Sequence, residues 1–531
     1  MDNLYVLAIG GSGERILRSF IMALVAGVDI KAQKVIPVIV DNDAKSAALT
    51  KCKDLIRAYR DPNKPGVHAL YSYIKPDLPS FCHVEIDEPI TLDVSGGNIG
   101  DLKNVIGCPS TQGENDPFDK AIKSLTAERE LLFTEGELSM PLHDGFVGCP
   151  NIGSVVMNSM SLSHENFSRV MNATASDGVI VLGSLFGGTG AAGIPLIVNK
   201  ILNNGTADKP LIGAVAMLPY FKIESKAKEN DTPELLNGNY DVNSDIFDVK
   251  TRAALMYYDK QMRDMDYMYY VGDNEKQPVF SKSLGGPNQD NPATICELMA
   301  AMAIVDFTYQ VKKDNLKATY KRPIWGFSDD KLAVSNMSGV INSNLKRAIV
   351  KFKMMEQVFT HPEIMPKAIK DQRKSWDFVK DIGFDEPKLT SITTDGQLDF
   401  PDANGLNFLI KAFNQWLEEL SKGNTRTTTM GRRLDVFNHE STIEADKLAK
   451  AFFAESDVYG MGLSKWKHHN PLFGKGYDEA ISADILDALQ DAYRELPEEY
   501  KKNIGRNQIL PVVLLYISNA LDKVINKSFN I

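Results

Sequence analysis

The stretch that most restricts how this chain can fold is 178–193, GVIVLGSLFGGTGAAG. Its first part, Gly178-Val179-Ile180-Val181-Leu182-Gly183, suits a central parallel strand buried on both faces. Its second part, Gly187-Gly188-Thr189-Gly190-Ala191-Ala192-Gly193, reads as a tight turn that opens a helix over 191–202. Glycine permits positive φ and lets backbone N–H groups come close to a ligand. The helix brings its amino end, and that end's partial positive charge, to the same point. Phosphate oxygens suit such a turn, and Thr189 adds a hydroxyl donor. A packing turn between strand and helix uses the same residues, so this stretch alone leaves both readings open.

Two more glycine turns stand beside predicted strands. Residues 4–9 form a first strand, Gly10-Gly11-Ser12-Gly13-Glu14-Arg15 its turn, and 16–25 the following helix. Residues 35–40 form a second strand ending on Asp41-Asn42-Asp43, at the carboxyl end where open α/β sheets bind ligands. A helix over 44–57 comes next. The stretch 145–154 contains Gly148-Cys149-Pro150-Asn151-Ile152-Gly153 and opens a helix extending to 175. Parallel strands put such loops on one edge of a sheet. One anion site built from three helix amino ends therefore explains all three turns together.

Downstream, 211–218 is a strand closing on Pro219-Tyr220-Phe221, 247–264 a helix and 265–271 a strand. Residues 293–310 form an apolar helix whose alanines and methionines predict burial on most sides. The polar stretch 222–245 reads as an inserted loop, 95–100 as a loop and 117–133 as a helix. Beyond 310 the texture changes. Residues 311–340 read as loop and short strands, and 344–360, 405–421, 440–455, 478–493 and 509–526 as amphipathic helices. The chain is therefore divided into 1–310 and 311–531.

Composition removes several function classes. A net charge of −10 argues against a nucleic-acid groove. No stretch approaches the roughly 18–20 apolar residues of a membrane span. The first apolar run breaks straight into glycines, so no leader and no membrane partner are expected. The cysteines (Cys52, Cys82, Cys108, Cys149, Cys296) form no CxxC pair, against a zinc site or a disulfide framework and in keeping with a reducing cytosol. No G-x-x-x-x-G-K-[ST] occurs, and Gly11-x-Gly13-x-x-Ile16 lacks the third glycine of a dinucleotide fingerprint. There is no Ser/His/Asp set, and His143, His468 and His469 have no metal-ligand spacing around them.

In order and texture these loops resemble the tubulin/FtsZ superfamily of nucleotide-binding filament proteins. The family loop GGGTG(S/T)G is similar to Phe186-Gly187-Gly188-Thr189-Gly190-Ala191-Ala192, which departs at Phe186, Ala191 and Ala192. The family's first loop resembles Gly10 to Arg15, its NTD-type loop Asp41-Asn42-Asp43, and its GANPEVG-type loop Gly148 to Gly153. Its TLPF strand end resembles Met217-Leu218-Pro219-Tyr220, and its FEGxxR stretch Phe247-Asp248-Val249-Lys250-Thr251-Arg252. Its IPND strand end resembles Tyr270-Val271-Gly272-Asp273-Asn274, and its buried core helix the residues 293–310.

The resemblance, over about residues 4–310, implies an α/β fold: a Rossmann-type GTPase domain with a parallel sheet and a central core helix. A divergent, mainly helical C-terminal domain follows. It implies GTP or GDP, with Mg2+ through the phosphates, on the carboxyl edge of the sheet. Gly10, Gly11, Ser12, Gly13, Glu14, Arg15, Gly148, Cys149, Pro150, Asn151, Gly153, Gly187, Gly188, Thr189, Gly190, Ala191 and Gly193 would hold phosphates. Asn42, Asp43 and Pro219 would complete the rim, Asp248 would take the ribose, and Arg252, Asp273 and Asn291 would lie near the base. On the residues alone, Arg252 equally fits a helix-surface salt bridge, and Asn291 a helix N-cap before Pro292.

One departure bears on activity. The family hydrolyses GTP with carboxylates of an NxDxxD-type loop that follows the core helix. Between 311 and 340, Asp314, Asp329 and Asp330 lack that spacing. Asn243-Ser244-Asp245-Ile246-Phe247-Asp248 matches it but precedes the core helix, and is read as coincidence. Hydrolysis is therefore expected to be weak or absent. The leading expectation is a cytoplasmic, divergent bacterial tubulin-like protein. It would self-associate head to tail into filaments, with nucleotide at the contact. A second is a non-polymerising nucleotide sensor or scaffold that binds a partner protein through its helical C-terminal half. A third, a dinucleotide-dependent oxidoreductase, lacks identifiable hydride-transfer residues.

Overall fold

Strand and helix alternate along the chain, as the apolar runs and glycine turns require. The structure, a computed structural model, describes residues 1–43, 45–60, 80–93, 100, 102, 132–139, 142, 145–146, 148–159, 165–203, 208–224, 244–262, 264–273, 277–281, 286–287, 289–310, 324–325, 339–360, 391–392, 398–399, 404–422, 487–495, 498 and 509–529. The first elements are β1 (Asn3–Ile9), α1 (Gly10–Ala26), β2 (Lys34–Asp41), α2 (Ala47–Arg60), β3 (Glu85–Ile86) and β4 (Ile90–Asp93). Next come α3 (Glu135–Leu138), α4 (Pro150–Ser159), α5 (Glu165–Met171), β5 (Gly178–Ser184), α6 (Thr189–Leu202) and β6 (Leu211–Met217). They are followed by β7 (Lys222–Ile223), α7 (Phe247–Gln261), β8 (Tyr267–Val271), β9 (Val279–Phe280), α8 (Ile295–Thr308) and β10 (Ile324–Trp325). The last are α9 (Gly339–Thr360), β11 (Ser391–Ile392), β12 (Leu398–Asp399), α10 (Asn404–Lys422) and α11 (Ile509–Phe529).

Among the described residues eight strands form one sheet in the order β10-β8-β6-β5-β1-β2-β3, with β4 also paired to β2. Every pairing in it is parallel. The order reverses between β5 and β1. From β1 the chain moves outward to β2 and β3, and from β5 it moves the other way to β6 and β8. Open α/β sheets bind ligands at such a switch point, outside the carboxyl ends of the strands.

Helices cover both faces, which is why β5 and β6 are buried at every position. On one face α4, α6 and α7 contribute Ile152, Ile197 and Tyr258 to the core. On the other, α1, α2 and α8 pack with α9, α10 and α11. The described helices of 311–531 thus share a core with the sheet rather than building their own. The cause lies in α1, which is buried on nearly every side and needs cover beyond the sheet. Trp416 of α10 supplies part of that cover, and its Nε1 donates to Ser19 Oγ at 3.2 Å.

Several boundaries differ from expectation. The helix expected to run to 175 is divided into α4 and α5, with 160–164 outside the described residues. α8 starts at Ile295, because Thr294 is its N-cap and forms a capping box with Glu297. Asn291 is therefore not the cap. The helix at 440–455 and most of those at 117–133 and 478–493 fall outside the described residues, as do His143, Asn243, Asp314, Asp329, Asp330, His468 and His469. Among the described residues no helix is long and apolar enough to cross a membrane.

Candidate functional site

β1 and β5 end beside each other, so their glycine turns face one cleft. The cleft is lined by Gly10, Gly11, Ser12 and Arg15 from the first turn and by Gly187 to Gly190 from another. Gly145, Phe146 and Gly148 of the third turn complete that side. α1 begins after Ile9 and α6 after Gly188, neither with a side-chain cap. The backbone N–H groups of their first turns are thus left for an anionic group. Pro150 opens α4, where its missing N–H costs nothing.

The three turns touch one another. Gly10 has φ +68°, and a Cβ there would stand 3.0 Å from Thr189 Cβ. A Cβ on Gly188 would meet Phe146 Cβ at 2.7 Å and the Cys149 nitrogen at 3.2 Å. Other glycines serve packing behind the rim. A Cβ on Gly13 would lie 2.8 Å from the Leu182 carbonyl oxygen, so α1 lies directly on β5. Gly193, inside α6, abuts Ile9 and Met157, and Ala191 is buried in the same helix. Cys149 donates its backbone N–H to Phe146, and burial pushes its thiol up. Asn151 turns to Glu137, its Nδ2 donating at 3.0 Å.

A second wall is aromatic. Phe186, Phe221, Phe247 and Phe280 all face the cleft. Phe186 and Phe247 have ring centroids 4.6 Å apart, and Phe221 and Phe280 5.2 Å. The short parallel pairing of β7 with β9 brings Phe221 and Phe280 together. Arg15 closes the corner, its guanidinium 5.4 Å from the Phe280 ring centre. It pairs with Glu297 at 2.6 Å and donates to the Pro292 carbonyl at 3.0 Å. Asn291 and Gln289 also line this side.

The third feature is acidic. Asp41, Asp43 and Ser46 face the cleft from the end of β2. Asp43 accepts from the Gly286 N–H at 2.6 Å. Glu14 is fully buried and accepts from Ser46 Oγ at 3.0 Å, while its Oε1 has no hydrogen-bond partner among the described residues. Burial, then the charges of Asp41 and Asp43, hold the Glu14 carboxyl well above the usual range. Burial likewise pushes Asp41 up to about 7. Protons held by these carboxyls reduce their repulsion towards an anion in the cleft. Asn42 turns away, its Nδ2 donating to the Leu142 carbonyl at 3.2 Å.

Besides Asn42 and Asn151, several expected contacts are not brought to this cleft. Pro219, Asp248 and Arg252 line a neighbouring one, with Met256, Met262, Met265 and Met268. Asp248 and Arg252 are four residues apart on α7, so they share a face that points there. Asp273 is buried behind the rim, where its N–H reaches the Pro219 carbonyl at 3.4 Å. Conversely, Ser46, Ser184, Phe221, Phe280 and Gln289 line the cleft without any motif in the sequence that marks them as site residues. Phe221 was within reach, because it follows a buried strand at its carboxyl end. Phe280 lies in a two-residue strand and Gln289 in a loop, both too short for a periodic pattern to show.

No protein-family model matches the chain, and no curated protein matches it. What describes it is its own geometry: an α/β protein with a parallel central sheet and a glycine-lined cleft at the switch point.

Proposed function

We propose that the cleft binds a nucleotide in the manner of the tubulin/FtsZ superfamily, GTP or GDP. The carrying observation is the convergence of three glycine turns, far apart in sequence, at the switch point of one parallel sheet. Phosphates would lie on the N–H groups opening α1 and α6, with Thr189 Oγ1 as a further donor. The base would lie against Phe186, Phe221, Phe247 and Phe280, which offer flat apolar faces at the other end of the cleft. Asn291 and Gln289 would supply the polar edge contacts expected earlier of Arg252 and Asp273. Mg2+ would accompany the triphosphate through phosphate oxygens. This arrangement also supports the finer reading of the fold, in which α8, apolar all round, stands as the core helix behind the sheet.

Head-to-tail assembly is the cellular role this reading favours. α7 leaves Val249, Met256 and Tyr257 exposed beside the second cleft, apolar surface that a neighbouring copy would cover. Denaturing the purified protein and chromatographing the supernatant tests the nucleotide: stoichiometric GTP or GDP is expected. Sedimentation with GTP, GDP and no nucleotide tests assembly. A second reading, a non-polymerising nucleotide sensor, is favoured by the packing of α9, α10 and α11 into the core beneath the cleft. Nucleotide binding without pelleting would select it.

A further inference from the structure

One wall of the cleft is the connection Asn291-Pro292-Ala293 that leads into α8, and it is gripped from both sides. Asn291 faces the cleft. Arg15 holds the Pro292 carbonyl at 3.0 Å from the glycine-turn side. From the other side, the Ala293 N–H donates to Glu419 Oε2 at 2.9 Å. Glu419 belongs to α10, 126 residues further along the chain. The same carboxylate receives Arg18 Nη1 at 2.7 Å and Nη2 at 3.2 Å. Gln415 Nε2 donates to it at 3.1 Å, and Lys51 Nζ of α2 lies 3.9 Å away. One carboxylate thus ties α10 to α1, to α2 and to the wall of the cleft.

The pair is nearly buried, with side-chain exposures of 9% for Arg18 and 12% for Glu419. Burial alone would raise the Glu419 carboxyl. The Arg18 hydrogen bonds and charge, then the Ala293 N–H, outweigh that and hold it below the usual range. Stability does not explain such a pair, since apolar residues of similar volume often serve as well. An apolar pair cannot, however, accept the Ala293 N–H or fix the rotation of α1 about its axis. Both settings reach the cleft. Ala293 follows Asn291 by two residues, and Arg18 follows Arg15 by one helical turn.

We infer that Glu419 is a positioning residue for the cleft, by which a C-terminal helix sets the Asn291 wall and the amino end of α1. Nucleotide affinity is then controlled from α10. The inference rests on the nucleotide reading given above. It distinguishes the described C-terminal helices from an independent appendage, since one of their side chains holds a wall of the cleft.

The test uses the full chain and the fluorescent nucleotide mant-GTP. Glu419→Gln removes the charge, and the double variant Arg18→Met with Glu419→Met replaces the pair by apolar bulk. Lys411→Ala, on the exposed face of α10, is the control. Both test proteins should bind mant-GTP about tenfold more weakly than wild type, as loss of one charge-assisted hydrogen bond would give, with the control unchanged. The double variant should keep a near-wild-type urea midpoint. In ligand-free protein, the amides of 291–294 should exchange faster in both variants. A folded double variant that binds as tightly as wild type, with unchanged exchange, overturns the inference alone. Wild-type protein that binds no nucleotide overturns the nucleotide reading, and this inference with it.

Discussion

A methyl group on Gly153 would stand 2.9 Å from the carbonyl oxygen of Gly188, although the two residues belong to different glycine turns. It would also press on Ala192 Cβ and the Phe146 ring, each at 3.0 Å. The turn that opens α4 and the turn that opens α6 are therefore in backbone contact. Their convergence is a packing fact before any ligand is considered.

Gly153→Ala should destabilise the protein by about 1–3 kcal/mol, the usual cost of forcing a methyl into a packed site. Gly11→Ala is the contrast, because a Cβ there meets nothing within 4 Å. It should change stability by no more than about 1 kcal/mol, in the stabilising direction, by restricting the unfolded chain. Urea unfolding of the two variants checks the pair.

Stability should fall as pH rises through neutrality. Asp41 is pushed up to about 7 and Glu14 well above the usual carboxylate range, so the folded protein holds protons that the unfolded chain releases. These carboxyls therefore impose no penalty below about pH 4, where unfolded carboxyls are also protonated. Each reduces stability by up to about 1.4 kcal/mol per pH unit from there until its folded pKa is passed. Glu14→Gln keeps an acceptor for Ser46 without the ionisable group. It should raise the urea midpoint and flatten the pH dependence above about pH 5, where an unfolded carboxyl has released its proton. An unchanged slope would show that Glu14 is not held protonated.

Arg15→Ala should cost about 3–5 kcal/mol, because it strands a buried carboxylate. Glu297 is fully buried and pairs with Arg15 at 2.6 Å. Its remaining donors are Tyr220 Oη and the Thr294 N–H, each at 2.9 Å. Adding Glu297→Gln should recover part of the loss. A double-mutant cycle by urea denaturation reads the coupling, and strict additivity would contradict it.

A fragment ending at residue 310 should not fold to a native, monomeric state. Removing the rest uncovers the α1 face that Trp416, Phe413 and Leu417 bury. Size-exclusion chromatography and circular dichroism decide this. For the full chain, Trp416→Ala should cost about 3–5 kcal/mol in one cooperative transition.

The parts of the fold that could be read from the sequence are those where one chemical demand dominates. β1, β5 and β6 lie close to their expected limits because a strand covered on both faces must be apolar at each position. The turns at Gly10 and Gly188 are legible because a positive φ at the first and close backbone contact at the second favour glycine. Asp248 and Arg252 stand away from the glycine-lined cleft for a rotational reason. Successive residues of a helix differ by about 100°, so Phe247, between the two clefts, reaches the first as well, while Asp248 and Arg252 line only the second. Glu419 was illegible because a charge on an amphipathic helix reads as a solvated face. Only the distant Arg18 and Ala293 give it a buried role.

The central claim is tested most directly by calorimetric titration of GTP into the wild-type chain and into Gly188→Ala. In the variant, the new methyl would meet Phe146 Cβ at 2.7 Å and displace the turn that lines the cleft. The account predicts one nucleotide bound per wild-type chain. It predicts binding weakened by at least about tenfold in a variant whose circular dichroism is unchanged. Wild-type protein stripped of nucleotide that takes up none, or a variant that binds as wild type does, would contradict it.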